Sequence, residues 1–189
     1  MVSFIVIGAV IFAVIGSVGY LVTLYNGMVI VKNNVGKSWA NIDVLLKQRH
    51  DEIPKLIKTC EGYMKHERET LSRVIALRNS AQSVQGVADK ASAEGALSAG
   101  LRQLFALAEN YPDLKAQSSF QQLQSRISEL ENQIADRREF YNESVNNFNI
   151  RIQSLPDLFV AGFMGLQAAQ MYKVNEADKA DVDVTFNMS

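Results

Sequence analysis

From Phe4 to Leu24 the chain is a run of apolar and small positions without a charged residue, and its first Lys or Arg is Lys32. At about 1.5 Å of rise per residue, about 20 such residues cover a hydrocarbon core about 30 Å thick, so the run predicts one membrane-spanning helix. Beyond it the apolar positions turn periodic. Val35, Trp39, Ile42, Leu46, Arg49, Ile53, Leu56, Cys60 and Tyr63 follow at steps of four and three, the seam of a long helix packed along one side. Pro54 inside it predicts a kink near His50 to Ile53, and Gly62 a stop. A second helix is expected from about His66 to Ala81, with Leu71, Val74, Ile75 and Leu77 apolar. Ser80 to Gly100 is rich in Ala, Ser, Gly and Gln, which predicts a loop and a weakly specified helix start before Leu97, Leu101, Leu104, Phe105 and Ala108. Tyr111-Pro112-Asp113 closes that third helix. Ser118 with Gln121 forms a capping-box pattern ahead of a fourth, whose seam is Phe120, Leu123, Ile127, Leu130, Ile134, Arg137 and Tyr141. The seam then shifts by one step to Val145, Phe148, Ile152 and Leu155 and ends at Pro156.

The pattern therefore predicts an all-α chain. Residues 1–27 form an N-terminal transmembrane helix, residues 28–156 an up-and-down four-helix bundle with long first and last helices, and residues 157–189 an apolar segment and a short, partly extended tail. The long pair, each about 50 Å at the standard rise, outruns the short pair, so its surplus seam forms a stalk or is covered by other subunits or the tail. Alternating helices return the end of the fourth to the bilayer. Leu158 to Leu166 is too short to span, and either lies in the lipid interface, with Phe159, Phe163 and Met164 as its surface contacts, or packs on the bundle. Val182, Val184 and Phe186 alternate with Asp181, Asp183 and Thr185 in a strand-like pattern.

Composition narrows the setting. The flank ahead of the apolar run has no basic residue and no cleavage signal follows it, so an anchor is expected rather than a cleaved signal peptide. Lys32 and Lys37 on the far flank place the body on the cytoplasmic side of the cell membrane, as a single-pass protein, by the positive-inside rule. Ala9, Ala13 and Ser17, at four-residue spacing, would let two such helices approach closely, although small residues are also simply common in spanning helices. A net charge of −1, with Lys and Arg interleaved among Asp and Glu, argues against a nucleic-acid partner. The single cysteine, Cys60, cannot form an intramolecular disulfide.

Specific residues carry a resemblance as well. The spanning run is followed by Tyr25-Asn26-Gly27, then Trp39, Ile42-Asp43, Leu46-Lys47, Arg49, Asp51, Ile53-Pro54 and Leu56, with Gly62-Tyr63 and His66-Glu67 after them. The second half has Tyr111-Pro112, Leu114-Lys115-Ala116, Phe120, Leu123-Gln124, Glu131-Asn132, Ile134-Ala135, Arg138, Tyr141-Asn142, Val145, Asn149, Ile152 and Pro156. Over nearly its whole length the chain resembles the LemA family of bacterial membrane proteins, departing at Gln48, Lys55 and the Ala-Ser-Gly-rich stretch. The resemblance implies an N-terminal anchor, a helical bundle and a family whose molecular function is not established.

Candidate chemistry is sparse. His50 and His66 have no second ligand at metal spacing, and Gly27, Gly36 and Lys37 fit no phosphate loop, so no metal or cofactor is expected. No motif supports an enzyme. Cys60 falls on the apolar seam, where inert packing is favoured over a nucleophile. Arg49 and Arg137 occupy seam positions where Leu or Ile would be easier, and a buried guanidinium needs a carboxylate such as Asp43, Asp51, Glu131 or Asp136. Arg49, Asp51, Arg137 and Arg138 are thus candidate polar residues that fix helix register, with an anionic-ligand site as the other reading. The function expected is a membrane-anchored helical scaffold, coiled-coil-like and self-associating as a homo-oligomer on the lipid bilayer. The alternative is an adaptor for one unidentified membrane-associated protein partner, such as a protease or sensor.

Overall fold

A computed structural model describes residues 1–173 of the chain, and among these every regular element is a helix. The strand-like pattern expected at Val182, Val184 and Phe186 lies outside the described residues. The elements are α1 (Val2–Glu61), α2 (Arg68–Ser83), α3 (Val87–Ala108), α4 (Pro112–Lys115), α5 (Ser118–Gln153) and α6 (Asp157–Phe163). The anchor and the first body helix are one 60-residue element that passes through Pro54, whose ring is exposed. The apolar window of α1 is long enough to cross a bilayer and none of it is buried within the molecule.

Two helices beyond the expected four appear, and both are short. α4 starts on Pro112, where a missing N–H costs nothing, and carries Asp113 in its first turn and Lys115 in its last. α6 is the apolar segment after Pro156. α3 begins ten residues ahead of the Leu97 seam, at Val87, because Gly86 takes φ +90° and supplies a sharp entry that a residue with a Cβ would resist. Gln121 departs from the capping-box expectation, since its Nε2 donates to the Lys115 carbonyl at 2.7 Å.

The chain divides into two compact units. One comprises Ile42–Arg138 together with the described residues 171–173. Its core takes Ile53, Leu56 and Cys60 from the end of α1, Met64 from the turn that follows it, Leu71 and Val74 from α2, Leu97, Leu101 and Leu104 from α3, Leu114 from α4, and Phe120 and Ile127 from α5. Each fully buried aliphatic side chain of this kind contributes about 1.5–3 kcal/mol relative to exposure. The expected seam of α1 holds from Ile42 to Cys60, but Met64, not Tyr63, is the next core residue. The helix has ended at Glu61, so helical spacing no longer decides which side chain points inward.

The other unit comprises Met1–Asn41 and Glu139–Gln170. Here Met28 of α1, Phe148 and Ile152 of α5, and Val160 and Ala161 of α6 form one buried cluster. Trp39 meets Tyr141 with ring centroids 5.4 Å apart, and the Ser38 and Ser144 hydroxyls are 3.0 Å apart. Asn149 holds the chain that follows α6: its Nδ2 donates to the Ala169 carbonyl at 2.9 Å, and its Oδ1 accepts from the Ala169 amide at 2.8 Å.

Candidate functional site

Arg49 sits on the α1 seam between Leu46 and Ile53, so the helix that buries its apolar neighbours carries its guanidinium inward too. Two helices answer it. On α3, Ala91 and Gly95 are small and buried, and Glu94 and Ser98 lie one turn apart on the same face. On α5, Glu131 follows the core residue Leu130. Arg49 Nη2 donates to Glu94 and Nη1 to Glu131, and Nη1 also lies 2.8 Å from Ser98 Oγ. Ser98 Oγ is 3.0 Å from each Glu131 oxygen. His50 Nε2 approaches the Glu94 oxygens at 3.0 and 3.3 Å, and the His50 carbonyl accepts from Arg78 Nε of α2 at 3.1 Å. One permanent cation thus faces two carboxylates, beside an imidazole.

The Arg49 and Glu94 side chains are both 0% exposed. Burial pushes the Glu94 carboxyl up, but the hydrogen bond from His50 and the charge of Arg49 outweigh it, so its pKa falls below the ordinary value of 4.5. The cluster holds an ionised Arg49–Glu94 pair away from water and orients four helices through directional bonds, with Glu131 at its partly exposed edge. Cys60, the other chemically capable buried group, has its thiol pushed up to about 11 by burial. A thiolate is the reactive form, so Cys60 is expected to resist an aromatic disulfide reagent at pH 8 and to react fully once urea unfolds the protein, as followed by absorbance.

The other sequence candidates separate. Asp51 is exposed and outside the cluster, and so is Arg137, whereas Arg138 is half-buried with its guanidinium carbon 4.6 Å from the Tyr172 ring centroid. The α5 seam therefore takes its extra step between Ile134 and Tyr141, ahead of the position that the sequence pattern indicated, and the inward arginine there is Arg138. Ala9, Ala13 and Ser17 are exposed on α1, with Ser17 Oγ donating to its own helix at Ala13 O, 2.8 Å away. Phe159 and Phe163 are exposed, and Met164 packs against the cluster around Met28. Glu94, Ser98 and His50 were not foreseen in the Arg49 cluster. The available signal was a lone acid and a serine at helical spacing in a stretch of small residues.

A second polar assembly lies in the unit formed by the start of α1, the end of α5 and α6. Arg151 Nε donates to Asp157 Oδ2 at 2.7 Å and Nη1 to the Gly27 carbonyl at 3.0 Å. Gly27 is what permits this approach, since a Cβ there would stand 2.4 Å from Arg151 Nη2.

Residues 38–186 match the profile of the LemA family. Protein LemA of Metamycoplasma hominis is 26% identical over 160 residues, covering 82% of this chain and 71% of that protein. Magnetosome protein MamQ of Magnetospirillum gryphiswaldense is 22% identical over 191 residues, covering 85% of this chain and 70% of its own. Magnetosome protein MamQ 2 of Paramagnetospirillum magneticum is 29% identical over 85 residues, or 45% of this chain. That match covers 31% of the relative, so the chain spans about a third of its length.

Proposed function

Since the chain belongs to the LemA family and its first helix carries an uncovered apolar run, we propose that it is a single-pass, membrane-anchored helical scaffold that self-assembles at the bilayer and is not an enzyme. The observation that carries this reading is the exposed apolar window of α1, which the molecule does not itself cover and which lipid or another copy would. Likeness to LemA and to magnetosome proteins supports a membrane-associated, scaffold-like part. The Arg49 cluster supports a structural use of its charges, because Arg49 and Glu94 are spent on each other in a closed site. In this reading the body is a four-helix bundle on the cytoplasmic side, with Lys32 and Lys37 beside the inner leaflet, and Ala9, Ala13 and Ser17 are the small residues through which copies meet.

Light scattering on the full-length protein in mild detergent tests the assembly. A defined oligomer is expected, and a monodisperse monomer would overturn self-association. A stable one-to-one complex with another membrane protein, without higher assemblies, would instead establish the adaptor reading.

A further inference from the structure

α6 has one charged residue, Asp157, and Arg151 neutralises it. The same guanidinium holds the Gly27 carbonyl of α1, so α6 is fastened to α1 within a turn of the end of the apolar run. Between the two helices lies a groove of about 430 Å³ lined by Leu21, Val22 and Tyr25 of α1 and by Phe159, Val160 and Phe163 of α6. Val160 is buried, while Phe159 and Phe163 are 73% and 88% exposed.

We propose that this groove takes a lipid acyl chain from the leaflet in which the α1 span ends, and that α6 lies in that leaflet as a half-inserted wedge. The proposal rests on the reading that α1 crosses the membrane, and it adds a second, separately held contact. Leu21 and Val22 belong to the spanning run itself, so one wall of the groove is continuous with the surface that faces lipid. An occupant at that depth meets hydrocarbon, and a soluble protein partner would have to enter the leaflet to reach it. The groove lining is almost wholly apolar, which suits an acyl chain, and it has no convergent polar groups of the kind that orient a small solute. α6 is only seven residues long, about 10 Å, so it enters one leaflet without crossing it.

The test reconstitutes full-length F163W, with F159W as a second reporter, into phosphatidylcholine vesicles with or without brominated acyl chains. Bromine is expected to quench the added tryptophan at least twofold, while acrylamide in the water quenches it several-fold less than in the urea-unfolded protein. Wild-type Trp39 emission is subtracted. V14W, in the middle of the span, reports the anchor independently. Quenching of V14W by brominated lipid without quenching of either α6 reporter would overturn the wedge and leave the spanning reading intact. Loss of all three signals would overturn both. Reporters shielded from bromine and acrylamide alike would show a protein covering and overturn the lipid assignment.

Discussion

Glu94→Ala is expected to lower the unfolding free energy by about 3–5 kcal/mol, because it strands a guanidinium that the fold keeps away from water. Arg49 and Glu94 are both 0% exposed, so neither charge falls back on solvent when the other is removed. Glu131 and Ser98 remain as partners, but Glu131 sits at the edge of the cluster with 28% of its side chain exposed and compensates only in part. Urea unfolding of the full-length protein in detergent, followed by circular dichroism, measures the loss. The double variant Arg49→Met/Glu94→Leu removes both charges and is expected to recover most of it, since buried ion pairs replaced by well-packed apolar residues are often neutral or stabilising. A loss below about 1 kcal/mol in Glu94→Ala would show that the network does not hold the helices together. Acid gives an independent check. The folded Glu94 carboxyl ionises more readily than an unfolded one, so its contribution is complete above the ordinary value of 4.5 and fades as pH falls through the lower folded value. Glu94→Gln should flatten that acid limb.

The pair Val14→Arg and Ile15→Arg is expected to release the protein from membranes. Each arginine near the centre of a spanning helix costs about 3 kcal/mol on insertion, so the two together cost about 6 kcal/mol. Val14 and Ile15 lie mid-run on different faces of α1, so the charges cannot share one polar defect. α6 is too short to hold the protein by itself. Extraction with alkaline carbonate separates the outcomes: wild type stays with the pelleted membranes and the double variant moves to the supernatant. A double variant that resists extraction would show that α1 is not the anchor.

How much was legible in the sequence follows from how each signal is carried. The anchor run needs no register, since every residue in it contributes alike, and it reads directly from composition. The Ile42 to Cys60 seam is also legible, because helical spacing repeats over enough turns to identify one buried face. The signal fails where the repeat breaks. Past Glu61 the helix has ended and Met64 takes the inward place, and near Tyr141 the extra step places Arg138 inward where the simple count placed Arg137. α4 and α6 were not legible as helices, since elements of four and seven residues cannot nucleate alone and exist only where tertiary contacts hold them. The Arg49 site was half legible. A guanidinium on an apolar seam demanded a carboxylate, and Glu131 stood among the expected partners. Glu94 did not, because a stretch of small residues gives too weak an amphipathic pattern to show which face α3 turns inward.

The Arg49 cluster also imposes an order on biogenesis. Arg49 leaves the ribosome long before Glu94 and Glu131, and domains acquire their structure as the chain is made. Until α3 is made, burying the Arg49 guanidinium would leave it without Glu94 or Glu131 beside it, and burying an unpaired charge is costly. The carboxylates that complete the Arg49 site therefore come from segments made later than the helix that carries the charge.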